Sequence, residues 1–209
     1  MEMDVKQMVA WFRHYADVLD DQKALLTELD AAIGDGDHGA NMARGWRAVK
    51  EGLHEFSGNV GDSFMLVSKT LISKVGGASG PLYGTAFLRM GMAVKGKDAI
   101  ELSDWPKLLQ AASDGIAQRG KVSGGEKTMY DVWKPLSDGL MLRDDFEGEQ
   151  SLVRWLAQTA AAKAEETKEL RATKGRAAYL GERSVGHPDP GAVSTSLLFK
   201  SLQSTLAPD

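Results

Sequence analysis

The sequence contains no cysteine among its 209 residues. This absence excludes disulfide bonds, zinc sites built on thiolates and thiol nucleophiles, and it fits a reducing compartment. No apolar run approaches the roughly 20 residues that cross a bilayer, and the first residues lack the apolar core of a signal peptide. We therefore expect a cytoplasmic protein without a membrane partner.

Positive charge is not in excess. Lys and Arg number 25 against 29 Asp and Glu, which gives a net charge of −4 and a pI near 5.6. This balance disfavours nucleic acid as the main partner. With 43% hydrophobic and 26% charged residues, the composition predicts one globular domain over residues 1–209 that can bury a sizeable core.

Alternating runs of β-branched residues are also missing, so we predict no strand. Apolar residues recur instead at three- and four-residue steps, the spacing of amphipathic helices. The first helix is predicted to end near Asp30 and the second to begin near His38. The others are predicted to begin at Asp62 or Ser63, at Leu82, near Ser103 and near Met129, and to span 151–170 and 192–206. Eight helices with short connections predict an all-α, antiparallel up-and-down barrel or bundle in one domain.

A cluster of carboxylates lies between the first two predicted helices. Asp30, Asp35 and Asp37 fall within eight residues, with glycines at 34, 36 and 39. At about 5 Å and an effective dielectric constant near 20, each pair of carboxylates repels by about 3 kcal/mol. Glycines allow the chain to fold tightly, and oxygen ligands select hard cations such as Mg²⁺. The pattern predicts a cation site, with a solvated Gly/Asp turn between helices as the alternative.

Two other phosphate or metal motifs match in part but lack required residues. An EF-hand starting at Asp35 would need Gly at its sixth position and Glu at its twelfth, where the chain has Ala40 and Trp46. Residues 91–97 and 115–121 match Gly-x₄-Gly-Lys, but Asp98 and Val122 follow where a P-loop needs Ser or Thr.

Two further segments are candidates for binding phosphates. The run Gly76-Gly77-Ala78-Ser79-Gly80-Pro81 leaves bare backbone and one hydroxyl at a helix start, or else is a tight helix–helix turn. Residues 174–191 form a long connection whose arginines suit phosphate contacts. We expect Tyr179, Leu180 and Val185 to anchor this connection in the core. Together with the carboxylates, these segments indicate a nucleotide site and phosphoryl transfer.

The order and spacing of these motifs resemble the L subunits of dihydroxyacetone kinases. The resemblance covers essentially the whole chain and is carried by Asp30-x₄-Asp35-Gly-Asp37-His38-Gly39-x-Asn41-Met42, by Gly76 to Gly84, by Lys127-Thr128-Met129-x-Asp131-Val132-Trp133 and by Lys174 to Gly191. It implies an eight-helix barrel with a nucleotide, ADP or ATP, bound at one end. Related fatty-acid kinases carry Asp-Gly-Asp-Thr-Gly, so His38 favours the dihydroxyacetone branch.

The resemblance also implies roles for individual residues. Asp30, Asp35 and Asp37 would hold two Mg²⁺ ions. The nucleotide would be contacted on its phosphate side by His38, Gly39, Ala40, Asn41, Ala78 and Ser79, and around adenine and ribose by Gly120, Met129, Arg176, Asp189, Pro190 and Gly191. No catalytic residue is assigned.

The partners implied by the resemblance are two other proteins. A K subunit would hold dihydroxyacetone covalently, and a phosphohistidine carrier, the M subunit, would rephosphorylate the bound ADP. Because a K-like domain is absent from the 209 residues, we expect the two-component arrangement. Two alternatives stay open: an ATP-dependent kinase subunit for a related ketose such as erythrulose, and a nucleotide-sensing regulator that transfers no phosphate.

Overall fold

The computed structural model describes residues 2–143 and 145–208. Nine α-helices lie within these ranges: α1 (Val5–Asp21), α2 (Lys23–Ile33), α3 (His38–Gly52), α4 (Val60–Lys74), α5 (Ser79–Ala93), α6 (Trp105–Gly120), α7 (Tyr130–Met141), α8 (Glu149–Glu166) and α9 (Pro190–Leu206). Three 3₁₀ helices span Leu102–Asp104, Thr167–Glu169 and Arg176–Ser184. Two short strands, β1 (Met3–Asp4) and β2 (Ala99–Ile100), pair antiparallel. None of the described helices is long and apolar enough to cross a membrane.

The helices form a closed ring. From α3 to α9 each helix packs against the next one in the chain, α9 packs against α1, and both α1 and α2 pack against α3. Since α1 and α2 follow one another along one side, they share a single position in the ring. The predicted all-α, eight-position antiparallel barrel is confirmed.

Aromatic side chains fill the inside of one half of the barrel. The ring of Phe12 on α1 lies 5.8–5.9 Å, between centroids, from the rings of Trp46, Phe64 and Phe87. All four side chains are fully buried. Because edge-to-face aromatic pairs add to the energy of burial, this cluster joins α1, α3, α4 and α5 into a rigid frame that fixes where those helices end.

Several predicted helix boundaries are wrong. The first predicted helix is two helices that meet at Gln22, and Leu19 and Leu26 are buried on either side, so the apolar spacing does not reveal the break. The third begins after Asn59, not at Asp62 or Ser63. The Asn59 side chain accepts from the Asp62 N–H, and the Asp62 carboxylate accepts from the Asn59 N–H in return.

The starts of the fourth and fifth predicted helices also differ. Helix α5 begins at Ser79, three residues before Leu82, so the end of the glycine-rich run is helical. Ser103 lies inside a 3₁₀ turn, and α6 follows from Trp105. The predicted absence of strands is wrong by two residue pairs, Met3 with Ile100 and Asp4 with Ala99, which are too short to show alternation.

The long connection after α8 is more ordered than predicted. It contains the 3₁₀ helix Arg176–Ser184, interrupted at Gly181 by a positive φ of 55°. Of its three predicted anchors, Leu180 is partly buried against Ile33, whereas Tyr179 is 90% and Val185 38% exposed. The segment is therefore held by a small apolar cluster of Ala177 and Leu180 with Ile33 and Ala172, and by its hydrogen bonds.

Candidate functional site

One end of the barrel opens into a cleft of about 540 Å³. In an antiparallel ring, alternate helices begin at the same end. The starts of α3, α5 and α9 line the cleft with His38, Ser79 and Pro190, and Met129 lines it just before α7. The partial positive charge of four helix N-termini favours an anion at this end.

The three aspartates converge at the edge of this cleft. Their carboxylate oxygens, one from each of Asp30, Asp35 and Asp37, lie within 4.8 Å of one another. Asp30 is buried near the end of α2, and its Oδ2 accepts hydrogen bonds from the N–H groups of Asp37 (2.8 Å) and His38 (3.0 Å). Its Oδ1 remains for a cation, so the donor set fits a hard divalent ion.

Arg176 reaches the same cluster from the 3₁₀ helix after α8. Its guanidinium lies 3.0 Å from Oδ2 of Asp35, and the two side chains are 70% and 35% exposed. Within the described residues, Arg176 is the cation that forms an ion pair with an aspartate of the triplet. A residue predicted to contact the nucleotide thus contacts a predicted metal ligand.

His38 sits at the centre of a buried hydrogen-bond chain. Its Nδ1 lies 3.0 Å from the Ser79 hydroxyl, and its Nε2 lies 3.0 Å from the Ser194 hydroxyl on α9, which is 2.8 Å from the Tyr83 hydroxyl. Burial lowers the pKa of His38 to about 4, although the nearby charges of Asp30 and Asp37 oppose this shift. A neutral imidazole donates from one nitrogen and accepts at the other, which orients both serine hydroxyls.

The glycine-rich turn meets α3 beside Asn41. The side chain of Asn41 is buried, and a Cβ on Gly76 would lie 3.3 Å from its Nδ2. Gly80 allows close packing, because a Cβ there would lie 2.3 Å from the carbonyl oxygen of Val75. The backbone of Gly77, with a φ of 65°, Ala78 and Ser79 is thereby placed along the cleft.

A second part of the cleft wall is formed by the C-terminal end of α6 and the starts of α7 and α9. Gly120, Met129 and Gly191 line it, and a Cβ on Gly191 would lie 3.4 Å from the Cβ of Met129. Asp189 caps α9 by accepting from the N–H of Ala192 at 2.8 Å. Burial removes solvent from the Asp189 carboxylate and raises its pKa to about 7. Met129, Pro190 and the two glycines give this wall an apolar surface.

The cleft brings together most of the predicted site residues. Its lining includes Asp30, Asp35, Asp37, His38, Asn41, Ala78, Ser79, Gly120, Met129, Arg176, Asp189, Pro190 and Gly191, while Gly39 and Ala40 lie outside it. Gly39 packs α3 onto α2, since a Cβ there would lie 2.2 Å from the carbonyl oxygen of Lys23. The contacts of these residues with a ligand stay predictions.

Other residues of the site were not predicted individually. Lys127, Arg119 and Lys174 also line the cleft, and the hydroxyls of Ser194 and Tyr83 extend the hydrogen-bond chain behind His38. Tyr83, Lys127 and Lys174 fall within segments that carry the family resemblance, but the sequence does not single out their side chains. A lysine, moreover, is ordinarily exposed.

The fold and this geometry define a class of protein. A helical barrel that aims helix N-termini and a carboxylate triplet into one cleft is suited to a phosphate ligand bridged by a metal, as in nucleotide-dependent phosphotransferases. The DAK2 domain matches residues 32–204. The chain belongs to the DAK2 domain family.

Close relatives cover the full length of the chain. It is 45% identical over 206 residues to the Listeria innocua protein named PEP-dependent dihydroxyacetone kinase 1, ADP-binding subunit DhaL, with 98% of each chain covered. It is 43% identical over 206 residues to the Lactococcus lactis PTS-dependent dihydroxyacetone kinase, ADP-binding subunit DhaL, covering 98% of this chain and 100% of that one.

A solved structure shares the fold. The native-form crystal structure of the dihydroxyacetone kinase of C. freundii matches with a TM-score of 0.73 and 25% sequence identity, over 94% of this chain. The chain spans 34% of that protein's length.

Proposed function

We propose that this chain is the nucleotide-binding subunit of a dihydroxyacetone kinase. It would relay a phosphoryl group from a phosphohistidine carrier, through Mg²⁺-bound ADP and ATP, to dihydroxyacetone held on a separate K subunit. The observation that carries the proposal is the carboxylate triplet, with oxygens within 4.8 Å, facing helix N-termini across the cleft. Relatives that are 45% and 43% identical over the same length are named as ADP-binding subunits of such kinases.

Asp30, Asp35 and Asp37 would hold the metal, as two Mg²⁺ ions. When bound, Mg²⁺ supplies charge neutralisation for the phosphates and aligns them for transfer. The fit rests on oxygen-only donors and on Asp30, whose Oδ2 is fixed by the backbone of Asp37 and His38 while Oδ1 remains for the ion.

The phosphates would lie against the starts of α3 and α5. The positive ends of these two helices favour the phosphate charge, and Ser79 and Asn41 add polar side-chain groups. His38 would hold the Ser79 hydroxyl in place from behind, since its other nitrogen is tied to Ser194. No residue is assigned as acid or base, because phosphoryl transfer depends mainly on positioning and charge stabilisation.

The base and ribose would lie against the part of the wall lined by Gly120, Met129 and Gly191. Met129 and Gly191 offer an apolar surface, and Gly120 leaves the end of α6 open. Arg176, now on Asp35, is long and exposed enough to turn towards the nucleotide. The transferred phosphoryl group would then face out of the barrel end, where a partner holding the ketone can meet it.

The relay can be tested by mass spectrometry of the nucleotide that stays bound through purification. We expect retained ADP to become ATP when a phosphohistidine carrier is added. That ATP should be consumed only when both a K subunit and dihydroxyacetone are present. Turnover of ATP and dihydroxyacetone by the chain alone would contradict the split site.

Two other outcomes would replace the proposal. Rapid exchange of bound nucleotide with free ATP, followed by transfer to the K subunit, would indicate the ATP-dependent branch, and a panel that includes erythrulose would identify the ketose. Retained nucleotide without transfer to any partner would identify a nucleotide-sensing regulator.

A further inference from the structure

Lys127 is a buried cation in the wall of the cleft. Its residue exposure is 1%, whereas lysine is almost never fully buried unless its charge is satisfied. Its Nζ donates to two main-chain carbonyl oxygens, Thr167 at 2.6 Å and Leu170 at 2.9 Å. These carbonyls follow the end of α8, where the partial charge of the helix is negative and favours a cation.

The backbone at Lys127 is also unusual. Its φ is 63°, a left-handed conformation that costs energy in a residue other than glycine. The surrounding turn enforces it, because the Asp131 carboxylate accepts from the N–H groups of Gly125 and, at 2.7 Å, Thr128. An outlier that its surroundings hold in place is a reason to look for a role.

Lys127 connects three segments that are far apart in the sequence. Thr167, whose carbonyl oxygen binds Nζ, also accepts at its hydroxyl from the Asp189 N–H at 2.9 Å. The Thr173 N–H donates to the Glu126 carbonyl at 3.2 Å. The turn before α7, the end of α8 and the start of α9 are thus tied together around one ammonium group.

These segments form the part of the cleft wall, with Met129 and Gly191, against which we propose the base and ribose lie. Met129 follows Lys127 by two residues, and Gly191 follows Asp189 by two. When Asp189 is ionised, its negative charge attracts the ammonium group and raises the pKa of Lys127, but burial lowers that pKa more. The aspartate triplet lies instead at the end of α2 and in the loop before α3, and the glycine-rich turn lies between α4 and α5. Both hydrogen-bond acceptors of the ammonium group lie outside these segments.

We propose that Lys127 is a positioning residue for the nucleoside end of the nucleotide. It holds Met129 and the start of α9 at the spacing that adenine and ribose require, and it leaves the metal and phosphate end unaffected. This inference rests on the proposed function, since it assumes that the cleft binds ADP.

The test compares two ligands on three variants by calorimetry. One ligand is ADP with Mg²⁺, and the other is pyrophosphate with Mg²⁺, which lacks the nucleoside. In Lys127→Met, which keeps the length but removes charge and donors, we expect ADP affinity to fall about tenfold and pyrophosphate affinity to change less than about twofold. Lys127→Gln keeps an N–H donor, so its affinity for ADP should fall only about threefold and its affinity for pyrophosphate should not change.

Lys168→Met is the matched control, because Lys168 is partly exposed, pairs with Glu165 and lies in the turn that contains the Thr167 carbonyl. It should bind both ligands as the unaltered chain does. If circular dichroism shows that Lys127→Met is unfolded, Lys127→Gln provides the test. Its loss of ADP affinity is then compared with its loss of pyrophosphate affinity.

Unchanged ADP affinity, or an equal loss for ADP and pyrophosphate, would overturn the positioning role. An unaltered chain that binds no ADP would overturn the proposed function itself, and the role of Lys127 with it. The two failures are therefore distinguishable.

Discussion

At the scale of single residues, the three aspartates are not equivalent. Asp30 is buried and accepts two backbone hydrogen bonds at the start of α3, whereas Asp35 and Asp37 are exposed. Asp30 therefore shapes the loop even without a ligand. Asp35 contributes charge to the cluster, where repulsion of like charges opposes folding.

Substitutions should separate these two contributions. We expect Asp35→Asn to weaken binding of ADP with Mg²⁺ at least tenfold while leaving thermal stability unchanged or slightly raised. Asp30→Ala should weaken binding and also lower the free energy of unfolding by about 1–3 kcal/mol, because two N–H groups, of which that of His38 is buried, lose their acceptor. Calorimetry and thermal melts measure both. If Asp35→Asn bound ADP as tightly as the unaltered chain does, both with and without Mg²⁺, the metal assignment would be contradicted.

Arg176 should have opposite effects on metal and nucleotide. Its ion pair with Asp35 occupies a carboxylate that we propose as a metal ligand. In Arg176→Ala, we expect affinity for Mn²⁺ alone, measured by electron paramagnetic resonance, to rise two- to fivefold, since exposed pairs contribute about 0.5–1 kcal/mol. Affinity for ADP with Mg²⁺ should fall. Arg183→Ala, on the same 3₁₀ helix but outside the cleft, is the control. A parallel fall of both affinities would refute competition at Asp35.

His38 should make stability depend on pH. Its pKa is about 4 in the folded chain against 6.5 for an ordinary histidine, so the unfolded state binds more protons between these values. The contribution of neutral His38 to the free energy of unfolding is complete above pH 6.5. It falls by up to about 3 kcal/mol as the pH falls towards 4. Urea unfolding at pH 7, 5.5 and 4.5 should show a steeper decline than in His38→Gln. Parallel profiles for the two chains would show that His38 does not titrate this way.

At the scale of elements, apolar spacing predicted the helices because each buries one face, and this is a repeating property of the sequence. Boundaries depend on single contacts that have no period. The break at Gln22 leaves the spacing intact, and Asn59 rather than Asp62 caps α4 through a reciprocal pair of hydrogen bonds. Tyr179 and Lys127 reverse their ordinary preferences, one exposed and the other buried, because the tertiary arrangement decides which side of a turn faces solvent.

The junction of α2 and α3 tests how the loop is held. Gly39→Ala would place a methyl group 2.2 Å from the Lys23 carbonyl oxygen, which is backbone and cannot move aside easily. We expect the free energy of unfolding to fall by about 1–3 kcal/mol, with weaker binding of ADP as the loop shifts. Gly52→Ala, at the other end of α3, meets a Leu66 methyl at an ordinary 3.4 Å and should be neutral. Equal stabilities of the two variants, measured in urea, would contradict close packing at Gly39.

At the scale of the whole molecule, the cleft is built from helices drawn from the entire chain. Asp30 comes from the first quarter and Gly191 from the last tenth. A ligand that bridges them therefore ties the barrel across its open end. Such a ligand stabilises the folded state as a unit by mass action.

Calorimetric melting should show this coupling. At ADP–Mg²⁺ concentrations about 100-fold above the dissociation constant, the folded state gains about 2.7 kcal/mol, which raises the melting temperature of a chain this long by roughly 5–10 °C. ADP with a chelator is the comparison, and it should give a much smaller shift. The same shift with and without Mg²⁺ would contradict joint binding.

The alternation of helix directions also decides where the chain ends lie. Helix α9 starts at the cleft and runs 17 residues away from it, about 25 Å at 1.5 Å per residue. The β1–β2 pair fastens the beginning of the chain to the connection after α5, which also leads away from the cleft. A tether at either end is therefore remote from the bound nucleotide. Immobilisation through either end leaves the cleft facing solution, and a protein fused there would need a linker of at least about 25 Å to meet the phosphates.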